Sequence, residues 1–193
     1  MITADLSQRA IACLQAARRA FALLMWAFLA AALAACSAPQ PSLYQAEKPS
    51  LELRDYFNGR LDAWGIFQDR SGRVVKRFTV AMVGRWEGDV GTLEEDFTYS
   101  DGSTERRVWT LRRVAPGRYV GTAGDVIGEA QGMVAGNALH WRYTLALPVN
   151  GSVYHFDFDD WMFLVDDRVM LNRAVMSKFG IRLGEVTLSF TKR

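Results

Sequence analysis

Polar side chains set into apolar stripes are the residues of this chain whose type and spacing could carry chemistry. Glu95 falls between Leu93 and Phe97, Asp160 shares a face with Phe156, Phe158 and Met162, and Asn172 and Lys178 bracket Ala174 and Met176. Burying such a group without a partner costs roughly 1–3 kcal/mol, and more when it is charged. One reading gathers them at the floor or mouth of a cavity, where Lys178 and an acid orient the head group of a ligand. The competing reading makes Glu95, Asp160 and Lys178 an internal ion-pair network, or has a bulge turn one of them outward.

No nucleophile with a matching base is apparent. The chain has no G-x-S-x-G elbow, no H-E-x-x-H, no phosphate-binding G-x-x-x-x-G-K-[ST] and no G-x-G-x-x-G opening a helix. Carboxylate pairs such as Asp125 with Glu129, or Glu95 with Asp160, have the makings of a glycosidase pair, but acid-rich strands produce them by chance. No catalytic residue is assigned. The only histidines, His140 and His155, lack ligand spacing even with Asp157 added, so no metal is expected. Asp157, Asp159 and Asp160 lack the glycine and closing acid of a calcium loop. No cofactor is expected either.

A different chemistry is read at Cys36. Leu33-Ala34-Ala35-Cys36 follows an apolar run from Ala20 to Ala32, itself preceded by Arg9, Arg18 and Arg19. Charge followed by a short apolar run is the layout of a secretion signal. The run falls short of the roughly twenty residues that span a bilayer. The tetrapeptide resembles a lipobox, where a bacterial precursor is cut and the new N-terminal cysteine is acylated. That predicts a cleaved signal over residues 1–35 and acyl chains on Cys36. Each buried CH₂ contributes about 0.8 kcal/mol to such an anchor. Ser37, where an Asp would signal retention, resembles the pattern of lipoproteins sent to the outer membrane, so the expected location is the cell envelope, outer membrane, facing the periplasm. Cys13 lies in the leader, which leaves the exported domain without a free thiol or a disulfide.

The full chain carries 23 Lys+Arg against 21 Asp+Glu. Without Arg9, Arg18, Arg19 and Asp5 of the leader the two balance, and a neutral surface gives no electrostatic case for nucleic acid. Residues 36–50, with Pro39, Pro41 and Pro49 among polar neighbours, read as an extended tether. Residues 51–193 suffice for one domain with a full core.

The stripes that carry these candidates have a period of two, which makes them strands. Leu61, Ala63, Gly65 and Phe67 share a face; so do Phe78, Val80 and Met82, then Leu93, Phe97 and Tyr99, and Leu139, Trp141, Tyr143, Leu145 and Leu147. Turn pairs fall between them, with Asp101-Gly102 the strongest hairpin signal. A short helix fits near 51–57. The expected fold is all-β: an antiparallel up-and-down meander of nine or ten strands, closed as a calycin/lipocalin-like barrel because closure removes exposed edges. Val126, Gly128, Ala130, Gly132 and Val134 form a stripe of small residues that either bends a wall and leaves interior room or marks bulges in a filled core. A membrane-spanning barrel is disfavoured by the heavily charged polar faces.

With these blocks in view, the chain resembles a family of bacterial lipoproteins, domain of unknown function 3833. The resemblance is carried by Tyr56-Phe57-Asn58-Gly59, Ala63-Trp64-Gly65, Gly84-Arg85-Trp86, Gly91-Thr92-Leu93, Gly121-Thr122-Ala123, Asp159-Asp160-Trp161-Met162, Asn172-Arg173 and Lys178-Phe179-Gly180. It implies a lipid-anchored envelope protein of calycin-like shape, and no activity. Three readings remain. In the first, the barrel binds a hydrophobic or amphipathic small molecule of lipid or fatty-acyl type. Trp64, Trp141 and Tyr143 then form the wall, and Lys178 or Arg173 contacts the head group. In the second, a filled barrel serves envelope assembly through a protein partner. In the third, Asp160 or Glu95 acts as acid/base of an enzyme. A cavity of a few hundred Å³ separates the first from the second.

Overall fold

The computed structural model describes residues 38–193 together with Arg18 and Met25. The lipobox with Cys36, and the leader apart from those two residues, lie outside the described residues. Among the described residues no helix is long and apolar enough to cross a membrane.

Alternating side chains and tight turns yield ten strands: β1 (Gly59–Asp69), β2 (Val74–Glu87), β3 (Val90–Tyr99), β4 (Thr104–Ala115), β5 (Arg118–Thr122), β6 (Ala130–Ala135), β7 (Ala138–Val149), β8 (Ser152–Leu164), β9 (Val169–Lys178) and β10 (Ile181–Lys192). Each pairs antiparallel with its neighbour in sequence, and β1 also pairs with β10, so the meander closes into a barrel. The all-β, up-and-down expectation holds, with ten strands.

Turn chemistry fixes the registers that matter for the interior. Between β3 and β4, Gly102 takes a φ of +84° that a side chain would resist, and the Asp101 carboxylate accepts from the Ser103 backbone N–H at 2.9 Å. Pairing then runs from Thr98 opposite Thr104 down to Glu95 opposite Arg107.

The small-residue stripe is not one strand. Only Ala130 onward joins the sheet, as β6, and residues 123–129 form a loop that touches β7 through a single bridge between Val126 and Leu145. The loop carries Asp125 toward the barrel wall. Gly121 and Gly132 do leave interior room, and the Trp141 indole takes it: a Cβ on either glycine would lie 2.6 or 2.3 Å from that ring.

One end of the barrel is stoppered by the segment before β1. A single-turn helix, α1 (Leu53–Tyr56), buries Leu53 and Tyr56, with Leu51 and Phe57 buried beside it. Tyr56 donates its hydroxyl to the Arg168 carbonyl at 3.0 Å, and Phe57 meets Phe190 edge-on. The tether expected over 36–50 is corrected here from Pro41 onward. Pro41 is buried in a 3-10 turn (Pro41–Tyr44), and the Tyr44 ring meets Trp161 and Phe163 edge-on. Aromatic burial overrides the extended preference that the prolines suggest.

Candidate functional site

The inward faces of the strands enclose a cavity of about 660 Å³. It runs from Leu53 and Phe57 at the stoppered end to exposed Lys76, Pro148 and Val149 near the opposite hairpins. Most of its wall is aliphatic or aromatic, including Trp109, Trp141, Tyr143, Phe158 and Met162. Trp109 meets Trp141 and Tyr143 edge-on at 5.8 and 5.5 Å, and Tyr143 stacks on Phe158 at 5.2 Å.

Four of the residues singled out in the sequence line this space together: Glu95 from β3, Trp141 and Tyr143 from β7, and Asp160 from β8. Asn172 joins them from β9, its amide donating to the Trp161 carbonyl at 3.3 Å. Asp160 is 5% exposed, and its Oδ2 accepts the Tyr143 hydroxyl at 3.1 Å. Its Oδ1 is buried with no hydrogen-bond partner among the described residues.

The remaining candidates lie elsewhere. Trp64 is 52% exposed on the outer wall, because Ala63 and Gly65 take the inward positions of β1 and strand alternation turns Trp64 away. Arg173 is outward for the same reason, between Asn172 and Ala174, and its guanidinium bonds Glu185 at 2.7 Å. Lys178 ends β9 at the rim, where its ammonium donates to the His155 carbonyl at 2.9 Å and lies 4.9 Å from the centre of the Phe179 ring. Neither cation is among the residues that line the cavity. The proposed network of Glu95, Asp160 and Lys178 therefore does not form.

The cation that does face these acids is Arg107 of β4. Its Nε bonds both Asp125 oxygens at 3.0–3.1 Å, and its Nη2 bonds Asp125 at 2.8 Å and Glu105 at 3.0 Å. The Asp101-Gly102 signal alone does not reveal Arg107: a two-residue turn there would set Glu95 opposite Val108, and only the observed loop, with Tyr99 facing Ser103, sets it opposite Arg107. Asp125 was not legible either, because it arrives on an irregular loop. Trp109 was hidden among five strand tryptophans.

Burial dominates the electrostatics. Removal from water pushes Asp160 up to about 8, with the Tyr143 hydrogen bond pulling the other way and the neighbouring Asp159 charge adding to the rise. The same desolvation pushes Glu95 up to about 7 against the attraction of Arg107, with Asp125 adding repulsion. Desolvation also drives the Tyr143 phenol well above its ordinary range, assisted by Asp160. Burial would weaken the charge on Arg107, but its bonds to Asp125 and the charge of Glu95 hold it firmly protonated. The arrangement can accept hydrogen bonds and neutralise positive charge. Among the described residues, no cluster of three or more His, Cys, Asp or Glu is placed to hold a metal ion.

A closed up-and-down barrel around an apolar cavity with a few convergent polar groups defines a calycin-like barrel, a fold compatible with small-molecule binding. The chain belongs to the family described as Protein of unknown function (DUF3833), whose model matches residues 30–192. Among solved structures it is similar to an S-type phycobiliprotein lyase from Guillardia theta, with a TM-score of 0.57 and 5% identity over 80% of this chain and 98% of that one. At that identity the likeness shows the fold alone. It is also similar to a protein of unknown function from the DUF3598 family of Nostoc punctiforme, at 11% identity over 77% of this chain and 51% of that one, with a TM-score of 0.47. No curated protein matches the chain.

Proposed function

We propose that this chain is a lipid-anchored protein of the bacterial envelope, held by acylated Cys36 in the outer membrane, whose barrel carries a hydrophobic or amphipathic small molecule of lipid type. One observation carries the reading: a cavity of about 660 Å³, apolar over most of its wall and stoppered at one end by α1. Small-molecule sites typically measure roughly 300–1,000 Å³ with few polar groups, and a barrel built only as a scaffold gains nothing from such a void, since unfilled space sacrifices packing. The lipobox-like Leu33-Ala34-Ala35-Cys36 and the leader before it support the location. The test is native mass spectrometry of the full chain extracted from the membranes of its own host. Co-purifying mass of lipid size is expected, and a bare polypeptide would overturn carriage.

A second reading, in which the chain serves the envelope through a protein partner, is favoured by the outer wall. Trp64 and Leu171 are 52% and 49% exposed there, in register across Ser189. Isolated exposed apolar residues are ordinary on soluble proteins, so this observation weighs less than the cavity.

A further inference from the structure

We infer that the acidic groups of the cavity wall take a positively charged head group, an amine or other N–H cation on an apolar tail, with Asp160 and Glu95 as its acceptors. This rests on the carriage reading and names the chemical class of its cargo.

Asp160 Oδ1 is buried in the cavity wall with no donor among the described residues, while Oδ2 holds the Tyr143 hydroxyl. An unpaired buried carboxyl oxygen is costly, and one that lines a cavity is a place where a bound donor would recover that cost. Tyr143 cannot complete it, since its single hydroxyl proton already serves Oδ2.

The balance of charge around the cavity favours a cation as well. The charged residues lining the cavity are Glu95, Glu105, Asp160, Arg107 and Lys76, and Asp125 joins them through Arg107. Among the described residues, three lining carboxyls thus face two lining cations, and each cation is further engaged by an acid beyond the lining, Asp125 or Asp101. Arg107 is committed to Asp125 and Glu105, and Lys76 stands at the mouth, 3.9 Å from Asp101 and over the Tyr99 ring. A fatty-acid carboxylate would enter a site with an excess of acids. A cation would instead give a direct partner to the two carboxyls that form no ion pair with Arg107, and it would carry donors for Oδ1. Burial raises the proton affinity of both carboxyls more than the charge of Arg107 lowers it, so a cation seated against them would relieve what Arg107 leaves uncompensated.

The test uses the full chain in a bulky sterol-based detergent whose body cannot enter the cavity. Dodecylamine, dodecanol and dodecanoate are titrated separately, and binding is followed by the fluorescence of the cavity tryptophans Trp109 and Trp141. Dodecylamine is expected to bind at least about tenfold more tightly than dodecanol, the gain of one charge-assisted hydrogen bond. In Asp160→Asn, dodecylamine should lose its advantage over dodecanol, the two being compared on the same variant. If that variant shows no cooperative melt, Glu95→Gln takes its place with the same expectation. Equal affinities for amine and alcohol, or a preference for dodecanoate, would overturn the head-group assignment and leave carriage standing. Failure of all three probes to bind would overturn carriage, and the head-group assignment with it.

Discussion

Asp160 sheds most of its water to enter the barrel wall, and the Tyr143 hydroxyl replaces only part of it. Its folded carboxyl therefore holds a proton up to about pH 8, while the unfolded chain releases that proton near 4. Between those values the folded state binds more protons, so stability is greatest on the acid side and declines as pH rises. Glu95 adds a decline over a narrower window that ends at about 7. The empty protein is therefore expected to lose stability progressively between pH 4 and 8. Thermal melts across this range are expected to show a falling Tm. In Asp160→Asn the fall should be shallower, and an unchanged slope would show that Asp160 is not the group responsible. The inward placement of Asp160 and Glu95 was legible from their neighbours, since alternation assigns a face without reference to the rest of the fold. Which cation answers them was not: Arg107 needed the hairpin register, and Asp125 needed the loop.

At the scale of elements, the stopper at the barrel end depends on a close backbone approach. A Cβ on Gly84 in β2 would lie 1.5 Å from the Phe57 carbonyl oxygen, a contact that no side-chain rotation relieves. Gly84→Ala must displace Phe57 and with it α1, at a cost of about 1–3 kcal/mol typical of overpacking. Chemical denaturation should show that loss. Unaltered stability would mean that α1 is not seated as described. The sequence marks Gly84 only as part of Gly84-Arg85-Trp86 and gives no hint of what approaches it. The same holds for 123–129, where small apolar residues continue the period of two and read as strand. Gly128, with a φ of +69°, ends that pattern in the fold. Trp64 illustrates the converse: its type suggests a ligand wall, but its position in the alternation sends it outside.

At the scale of the molecule, carriage and location are separate claims. A barrel that delivers or receives an amphipathic molecule needs no anchor to bind it, and an anchor confers no cavity. The location is tested at one atom. Cys36→Ala removes the thiol that would be acylated, and cell fractionation should then find the protein outside the membrane pellet. Unchanged fractionation would count against the anchor and leave the barrel reading intact. The cationic-cargo inference adds a constraint on the whole, because it requires the acid excess inside the cavity to outweigh Arg107 and Lys76.

From the order of residues alone came the strand character, the turn sites, the barrel class and the inward position of Glu95, Trp141, Tyr143 and Asp160. These follow from local rules: a period of two, the φ freedom of glycine and the penalty on open sheet edges. Only the tertiary structure decided that the barrel is hollow, that residues 41–57 pack against and stopper it, and that Arg107 is held by Asp125 while Lys178 and Arg173 stay outside. Those outcomes depend on how ten strands share volume around a common axis and on which loop reaches which wall, and no window of sequence contains that geometry.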